Sequence, residues 1–262
     1  MPSLKDQINN LVQLDSYPKR IVSLVPSITE YLYDLGLSEE IVGITKFCVH
    51  PKNFIEEKVI IGGTKQQHLD KIRSLQPDLI IASKEENVKQ YVEKLSRVCP
   101  VYVSDVDGFE TALEMMEDIG ELTDRSKKAE EITHSIIQEF DSIKKPLSSI
   151  NVAYCIWKSP WMWAGKDTFI SEMLQFSGFK NIVEKDRYPA KGMDEIVKQH
   201  PDYIFLSSEP FPFEPKHIEE LRKEFPRADF IMVDGEMFSW YGSRMLKAPQ
   251  YFNSLLDQLK TE

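Results

Sequence analysis

Short apolar runs rich in β-branched residues alternate along the chain with longer stretches in which apolar residues recur every three or four positions. RIVSLV (20–25), IVGIT (41–45), LIIA (79–82) and VYVS (101–104) read as buried strands, and VAYCI (152–156), YIFL (203–206) and FIMV (230–233) return to the pattern downstream. The helical period occupies 28–35, 69–75, 88–97 and 109–122, then 169–176, 194–199, 217–224 and 249–259. Ser27 and Glu30 have the S-x-x-E spacing of a capping box for the first of these helices, which Gly36 closes. Strands alternating with helices predict an α/β fold whose parallel sheets are covered on both faces.

One charged stretch, 124–145, separates the two series. Its apolar residues Ala129, Ile132, Ile136, Phe140 and Ile143 form a single narrow stripe, with Lys127, Lys128, Glu130, Glu131, Glu139 and Asp141 between them. At ~1.5 Å per residue it predicts a helix about 30 Å long. The segments LDKIRSLQPDLIIAS (69–83) and MDEIVKQHPDYIFLS (193–207) align without a gap, sharing Asp, Ile, Pro-Asp, Ile and Ser at matching places. The expectation is two similar α/β lobes, 1–122 and 147–262, each with a central parallel sheet. A long rigid helix, 123–146, joins them, and a ligand cleft lies between.

Composition narrows the functions. A net charge of −10 argues against nucleic acid and against an anionic membrane surface. No apolar run reaches the ~20 residues that span a bilayer. Residues 1–20 carry no basic, apolar or small-residue elements of an export signal and no lipid-anchor cysteine; taken literally, they leave the chain in the cytoplasm. The three cysteines, Cys48, Cys99 and Cys155, give no disulfide framework and read as buried thiols.

In open parallel sheets ligands bind beyond the carboxyl ends of the strands. Those ends carry Pro26, Ser27, Phe47, His50, Ser83 and Asp105 in the first half, and 157–166, 207–213 and 234–244 in the second. All four tryptophans fall in two of these loops: Trp157, Trp161 and Trp163, and Trp240. Phe211, Phe213, Tyr188, Phe238 and Tyr241 extend the set into an aromatic wall suited to a large, flat, partly apolar ligand. Dinucleotide, P-loop and nucleophile-elbow motifs are missing, and the five histidines have no helical metal spacing. Cys48, His50 and His68 form a loose group that would allow a metal or haem ligand. Glu236 and Arg244 would pair with polar groups of a ligand, and His50 with Glu236 is the one titratable pair a chelatase-type enzyme would need.

The series IVSLVPSITEYLYDLGL, IVGITKFCVHP, IGGT, LDKIRSLQPDLIIAS, WAGKDTFISEML and FSWYGSRMLKAP resembles the substrate-binding proteins of ABC importers for vitamin B12, haem and iron–siderophores. The resemblance runs from about Arg20 to Leu256. It implies a monomeric, non-enzymatic, periplasmic binding protein that requires no cofactor. Its ligand would be a corrinoid, haem or iron chelate, and its partner an ABC permease. A cytoplasmic carrier or sensor of a metal-bearing cofactor is the alternative. By position the ligand contacts fall at Pro26, Ser27, Phe47, His50, Thr64, Ser83, Met162, Tyr188, Glu236 and Trp240. Trp161, Trp163, Phe238, Tyr241 and Arg244 join them from the aromatic loops. Where cobalamin receptors have tryptophan, this chain has Thr64, Ser83 and Tyr188. The permease-docking carboxylates correspond to Asp70 and Asp194, the second positions of the repeat.

Overall fold

A computed structural model gives the structure of residues 1–190 and 193–259; the last three residues of the expected 147–262 lobe lie outside the described residues. The apolar runs form two largely parallel sheets, one in each of two compact units. Unit 1 holds Met1–Val106, Glu110–Ile137 and Tyr241–Arg244, and unit 2 holds Asp107–Phe109, Gln138–Trp240 and Met245–Glu262.

Unit 1 opens with a hairpin of β1 (Ser3–Lys5) and β2 (Leu11–Gln13). The Asp6 carboxylate makes its turn by accepting the amides of Ile8 at 3.1 Å and Asn10 at 2.7 Å. There follow β3 (Ile21–Ser23), α1 (Pro26–Asp34), β4 (Ile41–Ile44), α2 (Phe54–Glu57), β5 (Val59–Ile60), α3 (Leu69–Ser74), β6 (Leu79–Ser83), α4 (Lys89–Leu95) and β7 (Val101–Ser104). The sheet order is β5-β4-β3-β6-β7, parallel throughout. β3, β6 and β7 are buried at nearly every position, as strands covered on both faces must be.

The helices α5 (Phe109–Leu122) and α6 (Ser126–Asp141) come next. α6 is shorter than the expected 124–145, because Asp124 stands in the left-handed region at φ 58° before it starts. Its stripe is as expected: Ala129, Ile132, Ile136 and Phe140 are buried. The 123–146 segment is not a separate body; it counts with unit 1 through Ile137 and with unit 2 from Gln138.

Unit 2 continues with β8 (Ile150–Trp157), β9 (Met162–Trp163), α7 (Phe169–Phe176), β10 (Phe179–Asn181), α8 (Met193–Lys198), β11 (Tyr203–Ser207), α9 (Pro215–Leu221), β12 (Asp229–Val233), α10 (Gly235–Ser239) and α11 (Ala248–Leu259). The order β10-β8-β11-β12 repeats β4-β3-β6-β7, with β9 folded back antiparallel on β8.

The repeat is structural as well as textual. In each unit the residue before Pro-Asp takes a left-handed turn, Gln76 at φ 46° and His200 at φ 50°. The aspartate then staples the start of the neighbouring strand. Asp78 accepts the amides of Lys19 at 2.7 Å and Arg20 at 2.9 Å, and its own amide donates to the Arg20 carbonyl. Asp202 accepts the Asn151 amide at 2.7 Å and donates back to the Asn151 carbonyl.

Candidate functional site

In unit 1 the carboxyl ends of β3, β4 and β6 gather the first group of expected residues. The capping box does not form. Val25 is the N-cap of α1, Pro26 opens the helix, and no side chain caps it. Ser27 falls two residues past the N-cap, too late to cap, and its buried hydroxyl has no hydrogen-bond partner. Glu30, the other half of the expected box, instead takes Arg244 Nε and Nη2 at 2.7 Å each. After β4, Phe47 is 49% exposed, while Cys48 is buried with its sulfur against the hydroxyls of Thr29 (3.2 Å) and Thr45 (3.3 Å). Those contacts enclose the thiol, so it does not join His50 and His68 in a metal site. Among the described residues no group of three or more His, Cys, Asp or Glu is placed to hold a metal ion.

The loop after β5 is a tight turn closed by a bridge between Gly62 and Gln67. Gln67 donates its Nε2 to the Thr64 carbonyl, and Asn87 Nδ2 donates to the same carbonyl at 2.9 Å and to Leu24 O at 3.3 Å. Asn87 Oδ1 accepts the Ser83 amide at 2.8 Å. Gln67 Oε1, by contrast, is buried without a partner. Leaving such an atom unpaired costs on the order of 1–3 kcal/mol. Ser83 is buried; its hydroxyl accepts the amides of Glu85 and Glu86 and is in hydrogen-bond contact with the Tyr241 hydroxyl.

In unit 2 the aromatic wall is redistributed. Trp163 is 1% exposed and packs on Phe225 in the core with Ala153, Cys155, Leu206 and Leu221. Phe238 is fully buried among Tyr154, Phe205, Tyr251 and Phe252. Neither faces a ligand, because β9 turns Trp163 under β8 and α10 lays Phe238 on α11. Trp240 is 7% exposed and donates its indole N–H to Glu209 Oε1 at 2.7 Å; the Ser239 hydroxyl reaches the same oxygen at 2.7 Å. Burial pushes the Glu209 carboxyl up, and Glu236 and Asp234 add to the shift against those two donors. Tyr241 and Arg244 are buried and count with unit 1, where the first reaches Ser83 and Ser104 and the second pairs with Glu30. These side chains are buried in the fold.

What stands open at the carboxyl ends of β8 and β11 is a different set. Trp157, the last residue of β8, is 39% exposed and meets Phe211 edge-on at 5.6 Å. Beneath these open rings Phe213 is buried in the core; Phe211 contacts it at 4.8 Å, and Trp161 lies parallel to it at 6.0 Å with 2° between the planes. Lys158 Nζ sits over the Trp161 ring at 5.5 Å and pairs with Glu220. Buried His217, whose Nδ1 accepts the Glu214 amide, backs both phenylalanines. Met162 is half-buried beside this group, and Tyr188 lies in the loop after β10 under the Arg187 guanidinium at 5.9 Å. Trp157 and Phe211 were within reach of sequence reasoning, since each stands just past a strand run. Nothing in KQQH marks Gln67.

A cavity of about 590 Å³ lies elsewhere, at the amino ends of β8 and β10, lined by Lys145, Leu147, Gln175 and Lys180 among others. It is at the far end of β8 from Trp157. The repeat carboxylates Asp70 and Asp194 lie in the first turns of α3 and α8, both exposed; Asp70 touches Arg73 at 3.0 Å.

The family model described as periplasmic binding protein matches residues 21–229. The chain belongs to the periplasmic binding protein family. An uncharacterized ABC transporter substrate-binding lipoprotein of Bacillus subtilis, YvrC, is 32% identical over 216 residues, 77% of this chain and 68% of that one. A vitamin B12-binding protein of Vibrio parahaemolyticus is 24% identical over 206 residues, 76% of this chain and 74% of that one. A solved structure from Staphylococcus epidermidis, described as a possible iron-binding (periplasmic solute-binding) protein, matches with a TM-score of 0.77 at 27% identity. That match covers 93% of this chain and 99% of that one. As a periplasmic binding protein the chain has the two-unit parallel α/β build of these neighbours. Among its described residues no helix is long and apolar enough to cross a membrane.

Proposed function

We propose that this periplasmic binding protein is the cargo-binding component of an ABC importer, and that its cargo is a metal-bearing corrinoid, haem or iron chelate. The observation that carries the reading is the open aromatic group at the carboxyl ends of β8 and β11. Trp157, Phe211 and Trp161 are partly exposed there, Phe211 and Trp161 joined through the buried ring of Phe213, and Trp157 remains 39% exposed. A planar cargo covers such a surface by stacking, at ~0.5–1.5 kcal/mol per ring pair beyond burial. Relatives named for vitamin B12 and for iron agree with this choice. Binding calls for no bond to be made or broken, and the protein's task is capture and delivery outside the cytoplasm. A permease would meet the exposed Asp70 and Asp194, whose charges set encounter and register.

The test is a titration of the purified protein with cyanocobalamin, haem and a ferric hydroxamate chelate, followed by tryptophan quenching and visible absorbance. One of the three is expected to saturate at one per chain, and Trp157→Ala is expected to weaken it about tenfold, ~1.4 kcal/mol. Failure of all three to bind overturns the reading. Replacing Asp70 and Asp194 together by Ala leaves cargo affinity unchanged and weakens association with a permease.

A further inference from the structure

The cavity at the amino ends of β8 and β10 lies wholly within unit 2. Its lining reverses the charge of the chain. Lys145, Lys166 and Lys180 line it and, among the described residues, no aspartate or glutamate does, although acidic residues outnumber basic ones 42 to 32 in the sequence. Ser148, Ser149 and Gln175 add hydroxyl and amide donors. The wall is closely fitted. Gly178 stands at φ 84°, and an added Cβ there would collide with Pro146, so the 145–149 loop closes on the end of α7 only because residue 178 has no side chain.

The three ammonium groups are unevenly engaged. Lys145 donates to the Phe176 carbonyl at the end of α7 and lies 6.0 Å from the centre of the Phe176 ring. Burial holds it below the ordinary lysine value, and no carboxylate offsets the loss of water. Lys166 pairs with Asp186 at 3.2 Å, but the two side chains are 62% and 66% exposed, and a pair so open to water binds weakly. Lys180 stands exposed on the edge strand β10 and makes no ion pair among the described residues. Like charges lining one cavity repel, and an anion carrying several charges removes that cost for all of them at once.

We propose that this cavity binds a polyvalent, phosphate-bearing anion, so that unit 2 carries an anion site at the end opposite its aromatic group. The donors favour phosphate over carboxylate. Among the described residues the lining holds no arginine, whose planar fork matches a planar carboxylate. Lysine ammonium groups act as point charges and serine hydroxyls rotate, which suits a tetrahedral centre. A volume of about 590 Å³ falls within the roughly 300–1,000 Å³ of small-molecule sites and is more than a lone phosphate fills. The fitting ligand is a chain of phosphates, free or in a phosphorylated headgroup. The site shares no residue with the aromatic group and stands whether or not the cargo reading does.

The test titrates tripolyphosphate, inorganic phosphate and citrate into the full chain by calorimetry, and sediments the chain with vesicles of phosphatidylglycerol or of phosphatidylcholine. Tripolyphosphate is expected to bind one per chain, about tenfold or more tighter than citrate or phosphate. Lys180→Gln is expected to weaken it about tenfold at an unchanged melting temperature, and Lys180→Arg by about threefold at most. Asp186→Asn, which frees Lys166, is expected to strengthen it about twofold, a gain that the loss of a merely structural ion pair would not give. Lys89→Gln removes an exposed charge on α4 in unit 1 and is expected to change nothing. Equal losses from Lys89→Gln and Lys180→Gln would reveal diffuse attraction and overturn the proposal. So would the absence of tripolyphosphate binding, or citrate binding as tightly. Phosphatidylglycerol vesicles that hold the parent but not Lys180→Gln, and release it to tripolyphosphate, identify a lipid headgroup as the source. Binding of tripolyphosphate with both vesicles ignored identifies a soluble one. Vesicle binding that tripolyphosphate does not displace would put the attraction outside the cavity and overturn the site.

Discussion

Arg244 clasps Glu30 through two hydrogen bonds of 2.7 Å, although 214 positions separate them in the chain. Both are buried. The segment that delivers Arg244 is tied down along its length: Tyr241 reaches Ser83 and Ser104, and Ser243 donates to Asp34 Oδ2 at 2.5 Å. Gly242 passes close to Tyr31 at φ 100°, where an added Cβ would stand 3.2 Å from the Tyr31 Cβ in a backbone conformation L-residues avoid. Removing one member of a buried pair leaves an uncompensated charge. Arg244→Ala and Glu30→Ala are each expected to cost about 3–5 kcal/mol in denaturant unfolding, and the double variant distinctly less than their sum. Additive losses would show that the two act independently.

The tryptophans divide by burial. Trp163→Ala opens the core of unit 2 and is expected to cost about 3–5 kcal/mol of stability. Trp157→Ala removes a half-open ring and is expected to shift the melting temperature little while weakening cargo. Trp240→Ala resembles the first of these, because its indole is buried on Glu209. Thermal unfolding and cargo titration on the same three variants separate the classes.

Glu209 makes stability depend on pH. Its carboxyl is held above the ordinary value of 4.5, chiefly by burial, so the folded state favours the protonated form. Its contribution is fully present below about pH 4.5 and is lost as pH rises through the raised value. Glu209→Gln keeps an acceptor for Trp240 and Ser239 and carries no charge. The variant is expected to gain on the parent in melting temperature as pH rises from about 4.5 to about 8. A gap that widens towards acid instead would contradict this.

The thiols are expected to be inert. Burial pushes Cys99 and Cys155 up to about 12 and raises Cys48 as well. Thiolate is the reactive form, so a disulfide reagent at about pH 8 should titrate almost none in the native protein and all three cysteines after denaturation. Rapid native labelling of Cys48 would mean that its loop opens.

The fold was legible because it rests on period and order. β-branched runs, the stripe Ala129–Ile132–Ile136–Phe140 and the Pro-Asp repeat carry their meaning in a few adjacent residues. The site was less so. Trp163 and Phe238 look like wall residues until β9 and α10 turn them inward, and no local signal announces a two-residue strand. Ser27 and Glu30 match a capping motif, yet Pro26 starts the helix one residue before Ser27 and a distant arginine takes the glutamate. Gln67 depends on which of its two amide atoms the surrounding loop satisfies, a property of three dimensions alone.

The return of Tyr241–Arg244 to unit 1 also decides how this protein can be dissected. A fragment ending at Ile137 would hold every strand of the first sheet and still lack the cation for Glu30 and the hydroxyl that meets Ser83 and Ser104. One stop codon therefore cannot yield a sound half-molecule. To express the first unit alone, the tetrapeptide must be supplied as well, grafted on a linker or added as a peptide in trans. The chain, though the strand order of one unit repeats in the other, is not divisible at a single point.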